Sequence, residues 1–136
     1  MGNVVTYFVA YGGTALAFFI IDFVWLSVMA NSFYRQRIGH LMADDMNMAA
    51  AGGFYLLYVV GVVAFAVMPA LQSESWKMAL VLGGLLGLIA YGTYDMTNLA
   101  TLRDWPVSMA VVDMAWGTGL TAVSALAGYF ACRAFT

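Results

Sequence analysis

Apolar residues fill four long runs of the chain: Val4–Ala30, Met48–Leu71, Met78–Leu102 and Pro106–Ala131. Each is roughly 24–27 residues long, and a helix rising 1.5 Å per residue needs about 20 to cross the hydrocarbon of a bilayer. Stretches such as Leu56-Leu57-Tyr58-Val59-Val60 and Ala79-Leu80-Val81-Leu82 are continuously apolar. A membrane β-barrel instead alternates with period two over segments of about ten residues. The pattern therefore predicts an all-α integral membrane protein. It is a four-transmembrane-helix bundle, one domain over residues 1-136, with spans at about 4-30, 48-71, 78-102 and 106-131. The first run is too long and too aromatic for a signal peptide, lacks a basic start and is interrupted by Asp22.

The connections follow: Asn31–Asn47, Gln72–Lys77 and Arg103–Trp105. The first and third share one side of the membrane, called side X, with Arg35, Arg37 and Arg103; side Y carries Lys77 and Arg133. The positive-inside rule leans toward side X as cytoplasmic. On a helical wheel, Tyr34, Ile38, Leu41 and Met42 fall within about 100°, opposite Gln36, Arg37, His40, Asp44 and Asn47. This predicts a short amphipathic surface helix between helices one and two, with Asp45 in its apolar sector, pointing toward the membrane. Asn47 is placed to cap the second span and Asp104 the fourth, and Pro106 suits a first helical turn. Gly83-x-x-x-Gly87 and Ala115-x-x-x-Gly119 allow close helix approach, within the bundle or across a dimer face.

Composition sharpens this reading. The chain has 136 residues, 64% hydrophobic and 9% charged. An average soluble domain is about 45–50% apolar and about 25% charged, and a small one buries only about two-thirds of its surface. A soluble fold and a disordered chain are both excluded. Net charge is −2 with no basic run, so nucleic acid is not an expected partner. The single cysteine, Cys132, forms no intrachain disulfide.

The few charges inside the spans carry the chemistry. Asp22, Asp95 and Asp113 each interrupt a different run. An Asp at a helix centre costs roughly 2.5–3.5 kcal/mol on insertion, while a Leu returns only about 0.3–0.6. At 1.5 Å per residue, each lies ~10–12 Å inward from side X. Three helices thus place a carboxylate in one layer of one leaflet. Asn98 and Tyr91 lie one turn either side of Asp95, with Tyr94 close by. Trp25 follows Asp22 by three residues and Trp116 follows Asp113 by three, so each places an indole N–H near a carboxylate. The shared Asp-x-x-Trp is no inverted repeat, which would put the acids in opposite leaflets. Two readings of the layer stay open. In one, the acids are interfacial and pair with Arg35, Arg37 and Arg103; in the other, they line a polar cavity open to side X that binds a cation, a proton or a head group. His40, the only histidine, is either a solvated surface residue or a proton partner for the layer.

Cofactor chemistry finds little support. No metal-ligand spacing is present, and Met42, Met46 and Met48 near His40 read as packing filler rather than copper ligands. Bis-histidine haem is excluded by count, and the only lysine, Lys77, sits in a loop, unlike a retinal lysine. No cofactor and no metal are expected.

The stretches Phe33-Tyr34-Arg35-Gln36-Arg37-Ile38-Gly39-His40, Phe54-Tyr55-Leu56-Leu57-Tyr58, Tyr91-Gly92-Thr93-Tyr94-Asp95-Met96-Thr97-Asn98-Leu99-Ala100-Thr101, Trp105-Pro106 and Val112-Asp113-Met114-Ala115-Trp116-Gly117 together carry a resemblance. The chain resembles the uncharacterised bacterial membrane protein family called domain of unknown function 2177, over nearly its whole length. The resemblance implies a four-span protein of the bacterial inner (cytoplasmic) membrane and no particular reaction. Its motifs include Asp22, Asp95 and Asp113, with His40 and Asn98.

Three functions fit. The first is a small cation- or proton-coupled, or amphiphile, transporter using the Asp layer, as a homodimer because four spans are few. The second is a membrane enzyme modifying a lipid, with Asp95 or Asp113 as acid or base and His40 as proton partner. The third is a non-catalytic lipid-binding or accessory subunit of a membrane complex. The candidate binding residues are Asp22, Asp95, Asn98, Asp113, His40, Asp45, Tyr91, Tyr94, Trp25 and Trp116, with membrane lipid or a partner subunit as the expected partners.

Overall fold

A computed structural model describes residues 3–136. Four helices are long and apolar enough to cross a membrane: α1 (Val4–Leu41), α2 (Met48–Gln72), α3 (Trp76–Thr101) and α4 (Val107–Phe135). The described residues contain no strand. In hydrocarbon a backbone must satisfy its own N–H and C=O groups, and the long apolar runs leave the helix as the available solution.

The helix starts are written locally. The Asn3 side chain accepts from the Thr6 N–H at 2.8 Å, Asn47 from the Ala50 N–H at 3.0 Å and Ser75 from the Met78 N–H at 3.2 Å. Each satisfies one orphan donor of a first turn. Pro106 stands just before α4, which has no side-chain cap. Asp104 does not cap that helix as its position suggested; it faces His40 instead.

Two helices contain a π turn. In α2 it spans Val63–Val67, just ahead of Pro69, where the ring removes one rung of the hydrogen-bond ladder and needs room. In α1 it spans Ala30–Tyr34. The amphipathic stretch beyond it is helical, as the wheel indicates, but continues α1 instead of starting afresh. It ends at Leu41, and Met42–Asn47 is irregular.

Helix α4 is the centre of the bundle and packs along both α3 and α1. Small residues make this possible. A Cβ on Gly83 would strike Ala125 and the Thr121 carbonyl, and one on Gly87 would strike the Gly117 carbonyl and Thr121. The glycine spacing in α3 thus serves packing within the chain. Ala115-x-x-x-Gly119 does not: both residues are exposed, and Gly119 has open space where a Cβ would stand. The face of α4 that packs carries Gly117, Thr121, Ala125 and Gly128 instead.

The main core lies toward side Y. It joins Val59, Val62, Ala66, Val67 and Leu71 of α2 to Ala10, Ala79, Ala125, Tyr129 and Cys132. A second, smaller cluster lies at side X, where Tyr34 and Ile38 of the α1 extension meet Trp105, Met109 and Ala110. Between the two clusters the bundle is not filled. Helix α3 packs mainly against the Val63–Gln72 half of α2; the first half meets it through Tyr58 on Tyr91 and buries nothing fully before Val59.

Candidate functional site

The divergence of α2 from α3 leaves a cleft of about 600 Å³. Asp22, Leu26, Tyr34 and Ile38 of α1 form one wall; Phe54, Tyr55 and Tyr58 of α2 face Tyr91, Thr93 and Tyr94 of α3. Met109, Asp113 and Trp116 of α4 close the back. Phe54 and Tyr94 are more than half exposed while lining it, so the mouth opens on the outer surface of the bundle.

The lining is built from aromatic contacts. Phe18 packs on Tyr55 and Tyr58 with ring centroids 5.5 and 5.6 Å apart, and Tyr58 meets Tyr91 edge-on at 6.3 Å. The Tyr58 hydroxyl is fixed by Thr121 Oγ1 at 2.9 Å. Tyr91 lies where any Cβ on Gly117 would be, so its ring rests directly on the α4 backbone.

The three acids that interrupt the apolar runs all come to this region. Asp22 and Asp113 line the cleft and are each 8% exposed, while Asp95 is fully buried behind it. The Trp116 indole N–H donates to Asp22 Oδ1 at 3.1 Å. The Trp25 indole N–H donates to the Tyr34 hydroxyl at 2.7 Å, which donates to Asp113 Oδ1 at 3.1 Å. Each Asp-x-x-Trp segment therefore serves the other helix's acid, one directly and one through Tyr34. The two indoles stack between them, centroids 4.0 Å apart and 9° from parallel. Asp95 has no hydrogen-bond partner on either oxygen among the described residues.

Tyr34 reaches this network because of the π turn. Twelve residues of uninterrupted α-helix would turn it about 120° from Asp22, at about 100° per residue. The extra residue of the π turn reduces that to about 20°. Tyr34, Tyr55 and Tyr58 are site residues that sequence reasoning missed. The Phe54–Tyr58 motif signals two of them; nothing in the hydrophobic pattern announces the third.

Other candidates lie elsewhere. His40 points to Asp104, Nε2 to Oδ2 3.4 Å, across the exposed surface of side X. It stands outside the carboxylate region because the last turn of α1 presents it to the connection before α4. Asp45 is exposed in the irregular Met42–Asn47 segment and lines no part of the cleft. The helix that was to carry it inward ends at Leu41. Asn98 is half-buried one turn beyond Asp95 and is not in the cleft lining.

The arginines do not neutralise the acids. Arg35 Nε donates to Asn31 Oδ1 at 2.9 Å. Arg37 Nε donates to Ser108 Oγ at 3.0 Å, with its guanidinium 3.9 Å over the Phe33 ring. Among the described residues the ion pairs are His40–Asp104 and Arg133–Glu74. No three His, Cys, Asp or Glu side chains among them are grouped to hold a metal ion.

The family model for the predicted membrane protein DUF2177 matches residues 7–130. The chain belongs to this family. The matched stretch contains every residue lining the cleft, and the resemblance carried by the aromatic and Asp-containing motifs is confirmed. No curated protein and no solved structure matches the chain.

Proposed function

We propose that this family member is a small membrane carrier that takes an amphiphile from one leaflet into the cleft between α2 and α3. The observation that supports the reading is the cleft itself. It has about 600 Å³ between apolar and aromatic walls, with Asp22 and Asp113 as its only charged groups. Ligand sites of about 300–1,000 Å³ with a few placed polar groups are the common pattern. Intramembrane acids that no basic residue neutralises cost insertion energy, which a binding role explains. Side X, with Arg35, Arg37 and Arg103, faces the cytoplasm of a bacterial inner membrane in this reading. The lipid-modifying enzyme reading of the same site lacks its proton partner, since His40 is engaged with Asp104.

The test is transfer of a fluorescent single-chain amphiphile between leaflets of proteoliposomes. The protein is expected to speed transfer, and Asp113→Asn to abolish the gain while keeping its helical circular dichroism. Equal transfer by protein-free liposomes would overturn the proposal.

A further inference from the structure

The walls of the cleft restrict the charge of its occupant. The lining contains two carboxylates and no Lys, Arg or His. The cationic side chains are elsewhere: Arg35 and Arg37 are held on Asn31 and Ser108, Arg133 on Glu74 and His40 on Asp104, Lys77 lies over Trp76 at the start of α3, and Arg103 is exposed between α3 and α4. A phosphate or sulfate head group would meet like charge with no counter-ion.

Donors are short as well. The three acids receive two protein donors between them, Trp116 to Asp22 and Tyr34 to Asp113. Asp22 and Asp113 each accept on one oxygen, so the second oxygen of each carboxylate bordering the cleft has no donor among the described residues. Buried acceptors are normally satisfied, and each exception asks for a missing partner. The missing partner is positively charged or rich in donors.

The aromatic walls narrow the class further. Tyr55, Tyr91, Tyr94 and Trp116 border the same space as the carboxylates. Aromatic faces attract cations that carry their charge on a poorly hydrated surface, as quaternary ammonium groups do. A hard inorganic cation favours several carboxylate or carbonyl oxygens, and no three His, Cys, Asp or Glu side chains among the described residues are grouped to hold one. We infer that the occupant is a lipophilic organic cation, an ammonium head on an apolar chain. Its head lies against Asp113 and Asp22, and its chain leaves past Phe54 and Tyr94 into the lipid. This inference rests on the carrier reading of the cleft and names its substrate class.

The experiment uses the full chain in phosphatidylcholine nanodiscs and three probes sharing one twelve-carbon tail: dodecyltrimethylammonium, dodecyl maltoside and dodecyl sulfate. Binding is read from tryptophan fluorescence, since Trp116 lines the cleft and stacks on Trp25. The ammonium is expected to bind saturably and at least tenfold more tightly than the maltoside, with no saturable binding of the sulfate. Asp113→Asn is expected to lose at least tenfold for the ammonium and nothing for the maltoside. Tyr94→Leu, which keeps every carboxylate, is expected to lose threefold or more for the ammonium. If the maltoside or sulfate binds as tightly as the ammonium, the cationic class is wrong while the amphiphile cleft stands. If no probe binds saturably, the cleft reading falls with it.

Discussion

At side Y, α2, α3 and α4 meet through alanines, valines and glycines, and α1 joins them through Ala10. At side X α2 diverges from α3 around a cleft whose walls are aromatic rings and carboxylates. The two ends are therefore built from different side-chain chemistry. Where small residues face one another, backbones approach and dispersion replaces lipid contact. Where Tyr and Trp face one another, the backbones are held apart, and the space between them stays open because each ring already has a partner. The side-Y end supplies the rigidity that lets the side-X end remain unfilled.

The comparison can be broken, beginning with the largest effect. Gly87→Val places a branched side chain against the Gly117 carbonyl and Thr121. Overpacking of this kind costs about 3 kcal/mol, and a lower thermal midpoint in detergent by circular dichroism is expected. If Tyr55→Ala, at the cleft, lowers the midpoint as far, the two ends are not different in kind. Asp95→Leu tests the opposite sign. Replacing a buried acid that lacks a donor with an apolar group of similar size is expected to raise stability by about 2 kcal/mol, while lowering ammonium binding less than Asp113→Asn does. A fall in stability would show that Asp95 holds the fold together rather than the site.

Tyr34→Phe removes the donor to Asp113 and the acceptor of Trp25. A loss of about 1–2 kcal/mol is expected, with a shifted tryptophan emission as Trp25 loses its partner. An unchanged emission spectrum would argue that the crossed network does not form. Smallest is His40→Ala. Its pair with Asp104 is solvent-exposed, the two side chains 52% and 61% accessible, and such pairs contribute at most about 1 kcal/mol. A larger loss, or any loss of transfer, would return His40 to the site.

The four spans were legible because a bilayer demands a long apolar run and tolerates few exceptions. The same demand made Asp22, Asp95 and Asp113 conspicuous, each being an exception. What was not legible depends on helix phase. A wheel drawn through Asn47 assumes unbroken α-geometry; the helix ends at Leu41, so the phase it gives Asp45 is lost, while His40, within the helix, takes the surface position that was one of its two readings. Tyr34 failed in the other direction, since a π turn leaves no mark on hydrophobic spacing. The small-residue spacing in α4 was ambiguous for another reason. Ala115, Gly117, Gly119 and Thr121 offer two overlapping faces, and only the partner helix selects between them.

The π turn in α1 holds one residue more than an α-helix of the same rise requires. In a gene that surplus is a single codon. One codon thus separates a helix that turns Tyr34 away from the acids from one that aims it at Asp113. A hydrogen-bonded membrane site can be assembled in one inherited step, by insertion into an existing span, without any substitution among the residues that compose it.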